Sequence, residues 1–123
     1  MEKKQLQQIN KLGNAFPFAY EAVEDWSPDM YAKDCDSFAS WKYLRCKEAG
    51  VSHRHLAIAT CDINRDGVED HAVLLVYSPE DECVYCLDNR FFHVEEIGFF
   101  RRWGYSFIRV PVYMQELMAG QDE

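Results

Sequence analysis

The sequence has no apolar run long enough to cross a bilayer as a helix, and its Met1-Glu2-Lys3-Lys4-Gln5 opening leads into polar residues rather than a hydrophobic leader core. A membrane-spanning helix is excluded. The expected compartment is the cytoplasm, or the periplasm should a leader precede this sequence. Basic residues are also scarce: 13 Lys and Arg stand against 21 Asp and Glu, a formal net charge of −8 that repels phosphate backbones and anionic headgroups. Nucleic acid and membrane surfaces drop out as partners. The five cysteines are odd in number and follow no disulfide framework, which fits a reducing compartment. No internal repeat or low-complexity tract is present.

What remains is a chain of 123 residues, enough for one real core and too short for two ordinary domains. Its hydrophobic content of 48% and aromatic content of 15% call for a packed globule. We expect a single domain over 1–123. Residues 1–25 form an N-terminal helix and lead-in, 26–112 the core and 113–123 a tail.

The segment 34–50 organises the reading. Its acids open a helix, Phe38, Trp41 and Leu44/Arg45 recur at three-to-four spacing beside Ala39, Tyr43 and Cys46, and Gly50 closes it. Such a helix is mostly buried and sets Cys35 on its first turn. There the unpaired backbone N–H groups favour thiolate over thiol. On position alone the commoner reading of Cys35 is a small buried hydrophobe.

Before this helix, Leu6, Ile9 and Leu12 mark a short amphipathic helix ended by Gly13 and Asn14, a packing element. Pro17 and Pro28 interrupt the irregular, aromatic-rich lead-in that ends in Trp26-Ser27-Pro28-Asp29. From Leu56 the period becomes strand-like over 56–63, 70–78, 83–88 and 105–112, which reads as an antiparallel meander of about four strands. Helices grouped before strands give an α+β class, with one helix packed across the sheet.

Three motifs weigh less than their spelling suggests. Asp62-Ile63-Asn64-Arg65-Asp66-Gly67 matches the first half of a calcium loop, but the twelfth position, where a bidentate glutamate belongs, is Val73. Asp66-Gly67 between apolar runs reads as a hairpin turn instead. Cys83 and Cys86 are three apart on a strand and face opposite sides, so they cannot share a metal. His53 and His55 lie on a polar connection and read as a solvated turn.

His71 opens the apolar run 70–78, on the same face as Val73 and Leu75, where a lone histidine is usually a hydrogen-bonded structural group. Asp88 ends the next strand, which sets a carboxylate beside the imidazole if the two strands pair. Cys35, His71 and Asp88 then supply a nucleophile, a base and an orienting group.

Several ordered motifs also resemble the bacterial transglutaminase-like cysteine peptidase family. They are the Trp-Ser-Pro-Asp lead-in, Asp34-Cys35-Asp36-Ser37-Phe38-Ala39 with Lys42-Tyr43-Leu44, Glu48-Ala49-Gly50, His71-Ala72-Val73-Leu74-Leu75, Leu87-Asp88-Asn89 and Gly104-Tyr105-Ser106-Phe107-Ile108. The similarity covers residues 26–109. It implies a papain-like, transglutaminase-like core with a Cys35-His71-Asp88 triad that hydrolyses amides of a protein or peptide substrate through an acyl-enzyme. In the periplasmic relatives that clip biofilm adhesins, acids beside the cysteine bind calcium, and Asp34 and Asp36 stand in those places; the chemistry itself needs no cofactor. The chain departs from those relatives in its shorter length, its lack of a leader and a compressed interval between Pro28 and Asp34.

The Cys35 backbone N–H is the natural first oxyanion donor and the Trp26 indole a candidate second, although Trp26 reads equally as a core or groove wall. Two rival functions share these residues. One is a peptide-binding module that keeps the fold without catalysis, and the other is acyl transfer to an amine, as in a transglutaminase or deamidase. The oligomeric state is left open.

Overall fold

The computed structural model describes residues 2–15, 30–63, 67, 69, 71–91 and 93–119, with 30–37 described by their backbone. Helix α1 (Lys3–Asn14) is followed by α2 (Met30–Glu48). A 3-10 turn (His53–His55) leads into β1 (Leu56–Asp62), β2 (His71–Ser78) and β3 (Cys83–Leu87). A two-residue β4 (Glu95–Glu96), α3 (Ile97–Arg102), β5 (Ser106–Arg109) and α4 (Val112–Ala119) complete the described chain. The class is α+β. The expected tail from 113 onward is therefore helical as far as Ala119. Among the described residues, no helix is long and apolar enough to cross a membrane.

The strands form one antiparallel sheet in the order β4-β3-β2-β1-β5. The expected meander holds for β1, β2 and β3. The last long strand breaks it, returning past α3 to pair with β1 at the opposite edge, as in a Greek key. β2 lies at the centre and is buried along its length except at Tyr77, which explains its near-continuous apolar sequence. The edges are a two-residue strand of glutamates and a four-residue strand ending in Arg109, short and charged as exposed edges tend to be.

Side-chain alternation gives the sheet two covered faces. Leu56, Leu74, Val76, Cys83, Tyr85 and Leu87 pack against Leu6 of α1 and Cys46 of α2. Ala57, Ala59, Cys61, Val73, Leu75, Val84 and Cys86 pack against Ile97 and Phe100 of α3 and Met114 and Met118 of α4. The result is three layers rather than the two expected. Cys83 and Cys86 fall in different layers, as their spacing on a strand requires.

Both N-terminal helices differ from the sequence reading. α2 begins at Met30, so Cys35 is its sixth residue and not in its first turn. Helix geometry commits the N–H at that position to the carbonyl four residues back, which removes it as an oxyanion donor and removes the helix terminus as a source of thiolate stabilisation. The buried stripe of α2 runs through Ala39, Lys42 and Cys46, while Leu44 is 52% exposed. In α1 the buried stripe is Leu6, Asn10 and Gly13, with Leu12 outside it. Gly13 lies inside the helix rather than ending it. A Cβ there would stand 2.9 Å from Lys42 Cε and 3.0 Å from Trp41 Cε3, so the absent side chain lets α1 and α2 close on each other.

Candidate active site

His71 is the first residue of β2, and Asp88 follows the last residue of β3. The register pairs Leu74 with Leu87; carried one residue further it sets Asp88 across from Val73, a diagonal neighbour of His71 on the same face. The two side chains meet there. His71 Nε2 lies 2.6 Å from Asp88 Oδ1, and both side chains are fully buried. With the carboxylate ionised, Nε2 carries the proton and donates it, a charge-assisted bond shorter than a neutral one. Acid-base work at this ring then falls to Nδ1.

The other side of the carboxylate is also engaged. Tyr105 Oη donates to Asp88 Oδ2, and the Arg90 backbone N–H donates to Oδ1 at 3.0 Å. Burial by itself would push this carboxyl up, but the hydrogen bond and charge of His71, with the Tyr105 and Arg90 donors, outweigh it and hold the group below its ordinary range. Burial first, then the Asp88 charge, raise the Tyr105 hydroxyl well above the ordinary tyrosine range, so it remains a donor. The Tyr105 ring stands perpendicular to the imidazole at 6.1 Å between centroids. Burial and then the same carboxylate push the nearby Cys86 thiol well up, which makes it inert.

Sequence reasoning placed His71 beside Asp88 and the structure brings them together. It did not find Tyr105. The available signal was the tyrosine itself: a buried Tyr hydroxyl needs a partner, and 105 opens a segment whose neighbours alternate toward the core.

The side chains of Cys35, Asp34 and Asp36, and Trp26 as a whole, lie outside the described residues. The helix backbone still gives a direction. α2 ends at Glu48, shortly before the turn into Leu56, which pairs with Val76 of β2, whereas Lys42, nearer the helix start, reaches Asn14, which itself touches Asp88. Continuing from Lys42 toward the helix start therefore leads to the His71 end of the sheet, and Cys35 lies two turns along, about 10 Å. α2 covers the Leu74 face, however, while the dyad faces α3 and α4.

Asp62 serves the turn after β1, its Oδ2 accepting from the Gly67 N–H at 2.6 Å, with Gly67 at φ +79°. His55 rests edge-on against Tyr77 at 5.2 Å. Among the described residues, no three His, Cys, Asp or Glu side chains gather to hold a metal ion. The chain matches no protein-family model and no curated protein.

Proposed function

We propose that the chain is a cysteine peptidase or related amide hydrolase on a papain-like, transglutaminase-like core, with Cys35 as nucleophile, His71 as base and Asp88 as orienting group. The observation that carries this reading is the buried His71–Asp88 pair, in which the carboxylate holds Nε2 and so sets the tautomer and orientation of the imidazole. His71 Nδ1 takes the proton from the Cys35 thiol, and the thiolate attacks the amide carbonyl carbon. The imidazolium returns that proton to the leaving amine. Water then attacks the resulting thioester and gives its proton to the same nitrogen, and as the C–S bond breaks the acid is released and that proton returns to the Cys35 sulfur. Asp88 fixes the tautomer and stabilises the imidazolium that forms twice in the cycle.

Calcium enters through the resemblance alone. Asp34 and Asp36 stand in the positions that the resemblance gives to calcium ligands, and no step is routed through a metal. One observation favours a second reading: complete burial of the pair is what a structural His–Asp bond also shows, and a peptide-binding module would retain it.

Alkylation separates the two. Cys46, Cys61, Cys83 and Cys86 are all buried, and burial pushes Cys46 up to about 12 and raises Cys83 and Cys86. Limiting iodoacetamide at mildly acidic pH should therefore label Cys35 first, and His71→Ala should slow that labelling. If Cys35 labels no faster than the others, or is indifferent to His71, the hydrolase proposal fails and the binding module stands.

A further inference from the structure

The turn that carries Asp88 is gripped by the N-terminal helix. Asn14, the last residue of α1, donates through Nδ2 to the Asp88 carbonyl at 3.1 Å and to the Phe91 carbonyl at 3.0 Å. Asn10, one turn earlier, donates to the same Phe91 carbonyl at 2.8 Å. The Asn14 amide is aimed from its other end, where Oδ1 accepts from Lys42 Nζ at 2.6 Å. Turning the amide over would set its oxygen against two carbonyls and its NH2 against an ammonium, so only one orientation satisfies all three partners. Lys42 is 1% exposed, and its stem fills the space that Gly13 leaves open.

We infer that Asn14, aimed by Lys42, is a positioning residue for the Asp88 carboxylate and through it for the His71 base, an inference that rests on the hydrolase reading of the pair. Asp88 lies one residue beyond β3, where the sheet ladder no longer fixes the backbone. Within the turn, the Phe91 N–H reaches the Asp88 carbonyl only at 3.4 Å, so Asn14 supplies the shorter restraint. Lys42 belongs to α2, the helix that also carries Cys35. A continuous set of bonds therefore ties the helix of the nucleophile to the turn of the orienting group, and a misplacement of about 1 Å at such a group costs on the order of a hundredfold in rate.

A merely structural role for these residues is separable from positioning. Asn14→Leu with Lys42→Met removes both ends of the Asn14–Lys42 bond together and puts apolar side chains of similar size in their place, which limits the loss of stability. The Asp88 and Phe91 carbonyls keep the Phe91 N–H and Asn10 as donors. Asn14→Asp is the second variant: it keeps an acceptor for Lys42 but turns an oxygen, not a donor, toward the two carbonyls.

The full chain is compared with both variants by thermal melting, by the proton resonance of His71 Nε2–H and by the rate of Cys35 alkylation across pH. The double variant should melt near wild type, yet its His71 resonance should broaden through faster exchange and its alkylation at mildly acidic pH should slow by about tenfold or more. Asn14→Asp should show the same two losses. Retention of both the resonance and the rate in either folded variant overturns the inference, and should the double variant not fold, Asn14→Asp decides it. If the resonance is lost while wild-type Cys35 is indifferent to His71→Ala, Asn14 still positions the pair and the hydrolase reading is what fails.

Discussion

Asp88 accepts from His71, Tyr105 and Arg90, and the two side-chain donors contribute different things. The His71 bond sets the carboxylate charge against the imidazole, whereas the Tyr105 bond keeps that charge in place by favouring the ionised carboxylate. Asp88→Asn preserves size and loses the charge, so Cys35 alkylation should fall roughly a hundredfold or more near neutral pH with little loss of folding. Tyr105→Phe should act more narrowly. Its carboxylate loses one donor and protonates more readily, so the acid limb of the alkylation profile should move to higher pH while the neutral-pH rate changes little. The lost bond should also cost about 1–3 kcal/mol in urea denaturation. A Tyr105→Phe profile superimposable on wild type would reduce Tyr105 to a packing residue.

The pairing of α1 with α2 has its own test at Gly13. Spelled Gly-Asn at the end of an amphipathic run, this pair resembles a helix stop, yet Gly13 leaves no room for a side chain against α2 and Asn14 is the hook that follows it. A methyl group at 13 would press on the Lys42 stem and the Trp41 ring, so Gly13→Ala should lower stability by about 1–3 kcal/mol despite the better helix propensity of alanine. Leu12→Ala, one residue away and 58% exposed, should stay within about 0.5 kcal/mol of wild type. Equal effects of the two, measured by chemical denaturation, would mean that α1 does not dock through Gly13.

Across the whole molecule, buried titratable groups set where the fold is stable. The folded carboxyl of Asp88 lies below its ordinary value of 3.8, so its contribution is present above that pH and is lost as pH falls through the folded value. For Cys46 the thiol is raised from 9.0 to about 12, so the unfolded chain loses this proton first and stability declines as pH rises across that interval. Urea denaturation over a pH series should give a plateau between these limits. Asp88→Asn should flatten the acid side, and Cys46→Ala should lessen the alkaline decline. An acid limb that survives Asp88→Asn unchanged would assign acid unfolding to other carboxylates.

Local chemistry is legible wherever a residue's neighbours along the chain decide its state. Period two marked the three central strands, and the strand spacing of His71 and Asp88 brought them to one face, because a hairpin register follows from contiguous sequence. What lay beyond reach depended on partners distant in sequence. Lys42 is buried because Asn14, 28 residues away, receives its ammonium, and no local pattern predicts a buried lysine. The return of β5 to β1 and the second helical layer follow from which apolar faces remain open once the hairpins form. The sequence by itself determined that His71 and Asp88 could pair. Only the tertiary structure decided that Tyr105, from a strand-and-turn segment 17 residues on, holds the other carboxylate oxygen and that α1 reaches across to hold the turn, since each is a long-range contact between polar groups that only folding takes out of water.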